Sequence, residues 1–164
     1  MDSFADARVV RLGEMAVARA TGRLAALGLG SCVAAVLYDP AAKVGGMAHV
    51  MLPSADFSRD DSIPARFADQ AITLLVDAMG SEGADGERLH ARLIGGASMF
   101  VSLLPRNVPS IGQRNVETCR AALRALHIPI VAEDVGEQKG RSTALNVADG
   151  TVLVRTARGE ERHV

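Results

Sequence analysis

From residue 33 to residue 38 the chain runs Val-Ala-Ala-Val-Leu-Tyr without a polar side chain, and Asp39-Pro40 ends the run. A short apolar stretch of this kind predicts a buried strand. A second strand is predicted over 47–52, after Gly45-Gly46 and before Pro53, so residues 33–52 read as a hairpin with an irregular loop. Upstream, residues 9–20 alternate loosely and break at Thr21-Gly22, and residues 23–29 lead into Gly28-Leu29-Gly30-Ser31-Cys32. After a polar, turn-rich stretch over 54–64, Phe67, Ala71, Leu74, Leu75 and Ala78 recur at helical spacing and predict a helix over 65–79. Residues 89–94 predict a strand, Gly95-Gly96 a sharp turn, and Val116, Cys119, Leu123 and Leu126 one face of a second helix that follows a turn at Ser110-Ile111-Gly112. Strands are predicted over 128–132 and 143–147, and Asp149-Gly150 is a two-residue hairpin signal into a strand over 151–155.

Strands mixed with two amphipathic helices predict an α/β or α+β layered fold. The chain's 164 residues fit one domain spanning 1–164, with fraying expected at about 1–8 and in the charged stretch 157–164. Hydrophobic residues make 48% of the chain, charged residues 23%, and the net charge is −1, the profile of a soluble globular protein. That balance supplies no excess positive field for a polyanion, and with no Trp and 3% aromatics there are few platforms for stacking bases, so no nucleic acid partner is expected. The apolar runs fall far below the roughly 18–20 residues that cross a bilayer, and residues 1–6 lack a basic stretch followed by an apolar one. A cytoplasmic protein without direct membrane insertion is expected.

Two cysteines, Cys32 and Cys119, form no CxxC pair, and His49, His90, His127 and His163 show no metal-ligand spacing, so neither a disulfide nor a metal site is expected. Cys119 lies on an apolar helix face and reads as core. Cys32 and His49 raise a different possibility, because a thiol activated by an imidazole is a nucleophile. If the hairpin turns about Pro40-Ala41, antiparallel pairing sets Cys32 directly opposite His49; a turn centred one residue later makes the pair diagonal. A small cysteine before an apolar strand and a satisfied core histidine would explain the same residues, and the spacing leaves both readings open. Gly28-Leu29-Gly30-Ser31 lacks the Lys of a phosphate-binding P-loop and the third Gly of a dinucleotide fingerprint.

The segment Leu27-Gly28-Leu29-Gly30-Ser31-Cys32-Val33, followed by residues 38–53 from Tyr38-Asp39-Pro40 to Ala48-His49-Val50-Met51-Leu52-Pro53, resembles the chemoreceptor glutamine deamidases of the CheD family. Ile94-Gly95-Gly96-Ala97-Ser98-Met99-Phe100, Ile111-Gly112-Gln113-Arg114-Asn115-Val116, and the stretch from Ile128-Pro129-Ile130 to Gly140-Arg141 follow in the family's order. The resemblance covers most of residues 25–155. It implies an α/β/β/α layered sandwich that hydrolyses the side-chain amide of particular glutamines in the cytoplasmic helices of methyl-accepting chemotaxis receptors, without a cofactor. It implies Cys32 as nucleophile and His49 as general base and acid, while backbone N–H groups around Gly30 and Ser31 are the natural donors to an oxyanion. The family commonly has Thr six positions before the nucleophile, orienting the histidine, where this chain has Ala26; the backbone carbonyl of Ala26 is then expected to hold the imidazole tautomer. The chain also departs from the family at Gly136-Glu137, where a Gly-Gly pair is usual, at Leu145, near which an aromatic is usual, and at Gln113, where an acid is usual. Likeness to partners of a CheC-type phosphatase implies the alternative, a chemotaxis adaptor with weak or no catalysis.

Overall fold

The structure is a computed structural model and describes residues 2–103 and 105–164. In chain order its elements are β1 (Arg8–Val9), β2 (Met15–Arg19), β3 (Arg23–Leu29), β4 (Val33–Asp39), β5 (Val44–Val50), α1 (Ala68–Ser81), β6 (His90–Gly95), α2 (Ile111–Ala125), β7 (Ile130–Val135), β8 (Arg141–Asn146), β9 (Val152–Thr156) and β10 (Glu161–His163). The strands form two sheets, one ordered β2-β5-β4-β6-β7 and the other β1-β3-β8-β9-β10. The pairs β6–β7 and β1–β3 are parallel and the rest antiparallel.

Every residue of β4 is buried, which is why its sequence is a continuous apolar run instead of an alternation. Val33, Ala35 and Leu37 face the helices, whereas Ala34, Val36 and Tyr38 face the second sheet. Both helices cover the same sheet. Helix α1 packs on β5 and β2, α2 on β6, β4 and β7, and the two helices touch each other. The α+β sandwich of two sheets expected from the sequence is therefore present, but its layers run helices, sheet, sheet. In place of the outer helix that the resemblance implied, the N-terminal turn lies against the second sheet, with the Arg155 guanidinium 4.3 Å above the Phe4 ring and Ser3 beside Ala144 and Leu153.

The helix predicted over 65–79 begins with a 3₁₀ turn, Pro64–Arg66, and becomes α-helical at Ala68. Helix α2 starts at a reciprocal cap: the Gln113 N–H donates to Ser110 Oγ at 3.1 Å and the Ser110 N–H to Gln113 Oε1 at 2.8 Å. A glutamine serves this cap as an acid would, which accounts for the departure at position 113. Leu126, predicted on the helix face, is instead the C-cap and 37% exposed, because His127 takes a left-handed φ of 55° and ends the helix. The charged C-terminal stretch is drawn into the fold at 161–163, where β10 pairs with β9 and Arg162 reaches the Asp134 carboxylate at 2.7 Å.

Glycines set how closely the helices approach. A Cβ on Gly46 would stand 2.7 Å from Met79 Sδ of α1, and one on Gly112 would overlap the carbonyl oxygens of Gly96 and Ala97. The first turn of α2 thus rests directly on the backbone that follows β6. Gly112→Ala is expected to destabilise by about 1–3 kcal/mol, since backbone oxygens cannot rotate away as a side chain can. Gly80→Ala, on α1 with open space around it, is expected to stabilise by about 0.5–1 kcal/mol. Thermal melts of the two variants should move in opposite directions; equal melting temperatures would contradict the close approach.

Candidate active site

The β4–β5 hairpin pairs Val33 with Val50 and Ala34 with His49, so its turn is centred one residue later than the Pro40-Ala41 expectation. The buried carboxylate of Asp39 explains the shift. Its Oδ1 accepts the N–H groups of Ala41 at 3.0 Å and Ala42 at 3.1 Å, which wraps the turn around it. Burial alone would push that carboxyl up, but hydrogen bonds from Arg88, the Asp85 N–H and the Ala42 N–H hold it well below the usual carboxylate range. Directly opposite His49 is therefore Ala34, and Cys32, one step before the paired residues, is diagonal to it. Both lie on the face toward the second sheet, where Cys32 packs against the apolar cluster between the sheets that includes Ala34, Val36 and Met47. Diagonal neighbours stand about 7–8 Å apart at Cα, within reach of long side chains.

His49 is 3% exposed, and its Nδ1 lies 2.9 Å from the carbonyl oxygen of Val10. A carbonyl only accepts, so this contact places the ring proton on Nδ1 and leaves a lone pair on Nε2. Nε2 is buried and has no hydrogen-bond partner among the described residues. The carbonyl that holds the tautomer is thus that of Val10 and not that of Ala26. Ala26 lies inside the β3–β8 ladder, paired with Thr143, whereas Val10 has just left β1 and is tied to β3 by its own N–H, 2.7 Å from the Ala25 oxygen. Its carbonyl is free to turn toward the histidine.

Burial pulls the His49 imidazole below its ordinary value, more strongly than the Val10 hydrogen bond and the charge of Glu14 push it up. Burial also raises the Cys32 thiol. Both shifts favour thiol and neutral imidazole over an ion pair, because burial outweighs the Val10 hydrogen bond and the charge of Glu14 at His49 and acts unopposed at Cys32. Cys119 is fully buried on α2, its thiol pushed up to about 12, in keeping with a core role.

The loop before β4 is held at three successive carbonyls. Gly30 O accepts the Ala97 N–H and Cys32 O the Gly96 N–H, both at 2.8 Å, while Ser31 O accepts from Asn115 Nδ2 at 2.9 Å. Gly95 has φ 109°, and a Cβ there would overlap Cys32 O. Neither Val10 nor Asn115 was singled out from the sequence. Asn115 did leave a signal, a polar residue one turn before Cys119 on the buried face of α2; a carbonyl such as that of Val10 leaves none.

His49 lines an open cleft of about 460 Å³ with Val10, Arg11, Leu12, Glu14 and Leu27, of which Leu12 and Leu27 are 57% and 48% exposed. Gly30 borders a neighbouring cavity of about 200 Å³ beneath Met99. A larger cavity of about 530 Å³, beside Arg106 and Arg120, includes neither Cys32 nor His49. Among the described residues no three His, Cys, Asp or Glu side chains converge as a metal site would require, and no helix is long and apolar enough to cross a membrane.

Residues 51–156 match a family model described as CheD chemotactic sensory transduction. The chain is 43% identical over 153 residues to a probable chemoreceptor glutamine deamidase CheD of Caldanaerobacter subterraneus, covering 92% of this chain and 94% of that one. It is 44% identical over 155 residues to the chemoreceptor glutamine deamidase CheD of Thermotoga maritima, covering 94% and 95%. A probable chemoreceptor glutamine deamidase CheD of Geobacillus kaustophilus is 42% identical over 164 residues, 99% of each chain.

A neutral resting pair has a measurable signature. Iodoacetamide should label Cys32 and spare Cys119 in the folded protein, at a rate that keeps climbing above pH 9.0, the ordinary thiol value from which burial raises Cys32. A labelling rate already level at pH 7 would mean a resting thiolate and contradict this reading.

Proposed function

The chain belongs to the CheD family, and from that premise we propose that it hydrolyses side-chain amides of glutamines in chemoreceptors to glutamate and ammonia, acting in the cytoplasm through Cys32 and His49. The relatives named as chemoreceptor glutamine deamidases support the reaction. The observation that carries the residue assignment is the bare, buried Nε2 of His49 on the same sheet face as Cys32.

In this reading His49 Nε2 takes the Cys32 proton as sulfur bonds to the amide carbon, so charge develops only during attack. The carbonyl oxygen becomes an oxyanion, for which the backbone N–H groups of the Gly30–Cys32 loop are the donors. The tetrahedral species collapses, the C–N bond breaks, and Nε2–H gives its proton to nitrogen so that ammonia leaves a thioester. Water then adds with its proton passing to Nε2, the C–S bond breaks, and the proton returns to sulfur. No oxidant, reductant or metal enters the balance. The Val10 carbonyl keeps the proton on Nδ1 throughout, so the same nitrogen serves as base and acid in both halves.

Receptor cytoplasmic fragments analysed by mass spectrometry test the proposal. Wild type should convert particular glutamines to glutamate, Cys32→Ala should convert none, and Cys119→Ala should keep activity. The pH dependence follows from the two shifts. His49 protonates only below the ordinary 6.5 and Cys32 ionises only above 9.0, so kcat/KM should be level through neutrality, with an acid limb below the first value and an alkaline limb above the second. Activity in Cys32→Ala, or an acid limb centred above pH 7, would overturn the assignment.

A further inference from the structure

Asn115 is wholly buried in α2, yet its side chain faces two carbonyls on separate segments of the proposed site, one in the loop before β4 and one just past the end of β5. Nδ2 donates to Ser31 O at 2.9 Å and to Met51 O at 3.0 Å. Ser31 precedes Cys32, and Met51 follows His49 by two residues. We infer that Asn115 is a positioning residue for this reaction: one amide group clamps the loop that carries the thiol to the strand end that carries the imidazole. The inference rests on the deamidase reading for its activity arm.

Three features make the clamp specific. An NH₂ group has two donor hydrogens, and both are used on carbonyls that β-ladder pairing does not take up. Helix α2 is close enough to supply them only because Gly112 lets its first turn rest on Gly96 and Ala97. The third feature is the direction of the peptide. The Ser31–Cys32 peptide bond is trans, so turning Ser31 C=O toward Asn115 turns the Cys32 N–H the opposite way, away from α2. That N–H is then directed outward from the helix layer as a donor for the oxyanion formed at the Cys32 sulfur. Asn115 thereby fixes two quantities together, the offset between Cys32 and His49 and the orientation of the donor.

The buried Oδ1 of Asn115 has no hydrogen-bond partner among the described residues, so the side chain is held by its donors alone. Asn115→Asp keeps its shape and removes both donor hydrogens, presenting an acceptor to two acceptors. Loss of one oxyanion donor costs about 10²–10³ in kcat, and the same range is expected here, with KM within about threefold because the outer cleft is untouched.

A double-mutant cycle on Cys32 labelling needs no receptor substrate. Iodoacetamide labelling at pH 7.5 is measured in wild type, His49→Ala, Asn115→Asp and the double variant, beside kcat and KM on receptor fragments and a thermal melt of each. His49→Ala should slow labelling about tenfold in the wild-type background and less than about twofold in Asn115→Asp, because the clamp no longer fixes the offset between imidazole and thiol. Equal His49→Ala effects in both backgrounds, with kcat per folded molecule of Asn115→Asp within about threefold of wild type, would overturn the inference. Intact coupling in a wild-type protein that converts no receptor glutamine would instead sink the deamidase reading and leave the clamp standing.

Discussion

Strand β4 is buried on both faces and paired on both edges, and the other layers are arranged by how its side chains are covered. Val33, Ala35 and Leu37 require the helices; Ala34, Val36 and Tyr38 require the second sheet. The edges are taken by β5 and β6. A strand so enclosed cannot slip by one residue without turning its small inner residues toward the helices, so its register is firmly set. Cys32 sits at the entrance of this strand, where the chain emerges from between the layers. The position of the thiol is therefore a by-product of core packing, which leaves it little conformational freedom.

The site is built from backbone more than from side chains. Three carbonyls of the 30–32 loop are tied to Ala97, Asn115 and Gly96, and the imidazole is held by the carbonyl of Val10. Such an arrangement tolerates Ala26 in place of a hydroxyl, because the tautomer does not depend on the side chain at that position. It also explains the glycines around the loop: Gly95 and Gly112 are small because carbonyl oxygens stand where their Cβ atoms would be. Burial dominates the electrostatics, raising the Cys32 thiol and lowering the His49 imidazole so that both neutral forms are favoured.

What could be read along the sequence was the part that side chains write. The enclosed β4 appears as an unbroken apolar run, α1 and α2 as helical stripes, and the β8–β9 connection as Asp149-Gly150. The one-residue displacement of the β4–β5 turn was not legible, because it comes from Asp39 accepting two N–H groups and not from any periodicity. A helical stripe announces that a face is buried but not which sheet buries it, so the placement of both helices on one sheet had no sequence signal. Strand β10, Glu-Arg-His, reads as a solvated tail and is held by ladder bonds and Asp134. Glu137 takes φ 60°, a left-handed backbone where the family's usual glycine would be unstrained, and the Ser98 N–H binds its carbonyl. Cys32 and His49 were legible as candidate residues, and their diagonal geometry was not.

The state of His49 at rest is the point on which the proposed chemistry turns, and nitrogen NMR of protein labelled at its histidine rings reads it directly. At pH 7 the His49 ring should be neutral, with the proton on Nδ1 and Nε2 bare, and it should become imidazolium only below the ordinary value of 6.5. An imidazolium at pH 7, or a neutral ring with its proton on Nε2, would contradict the account.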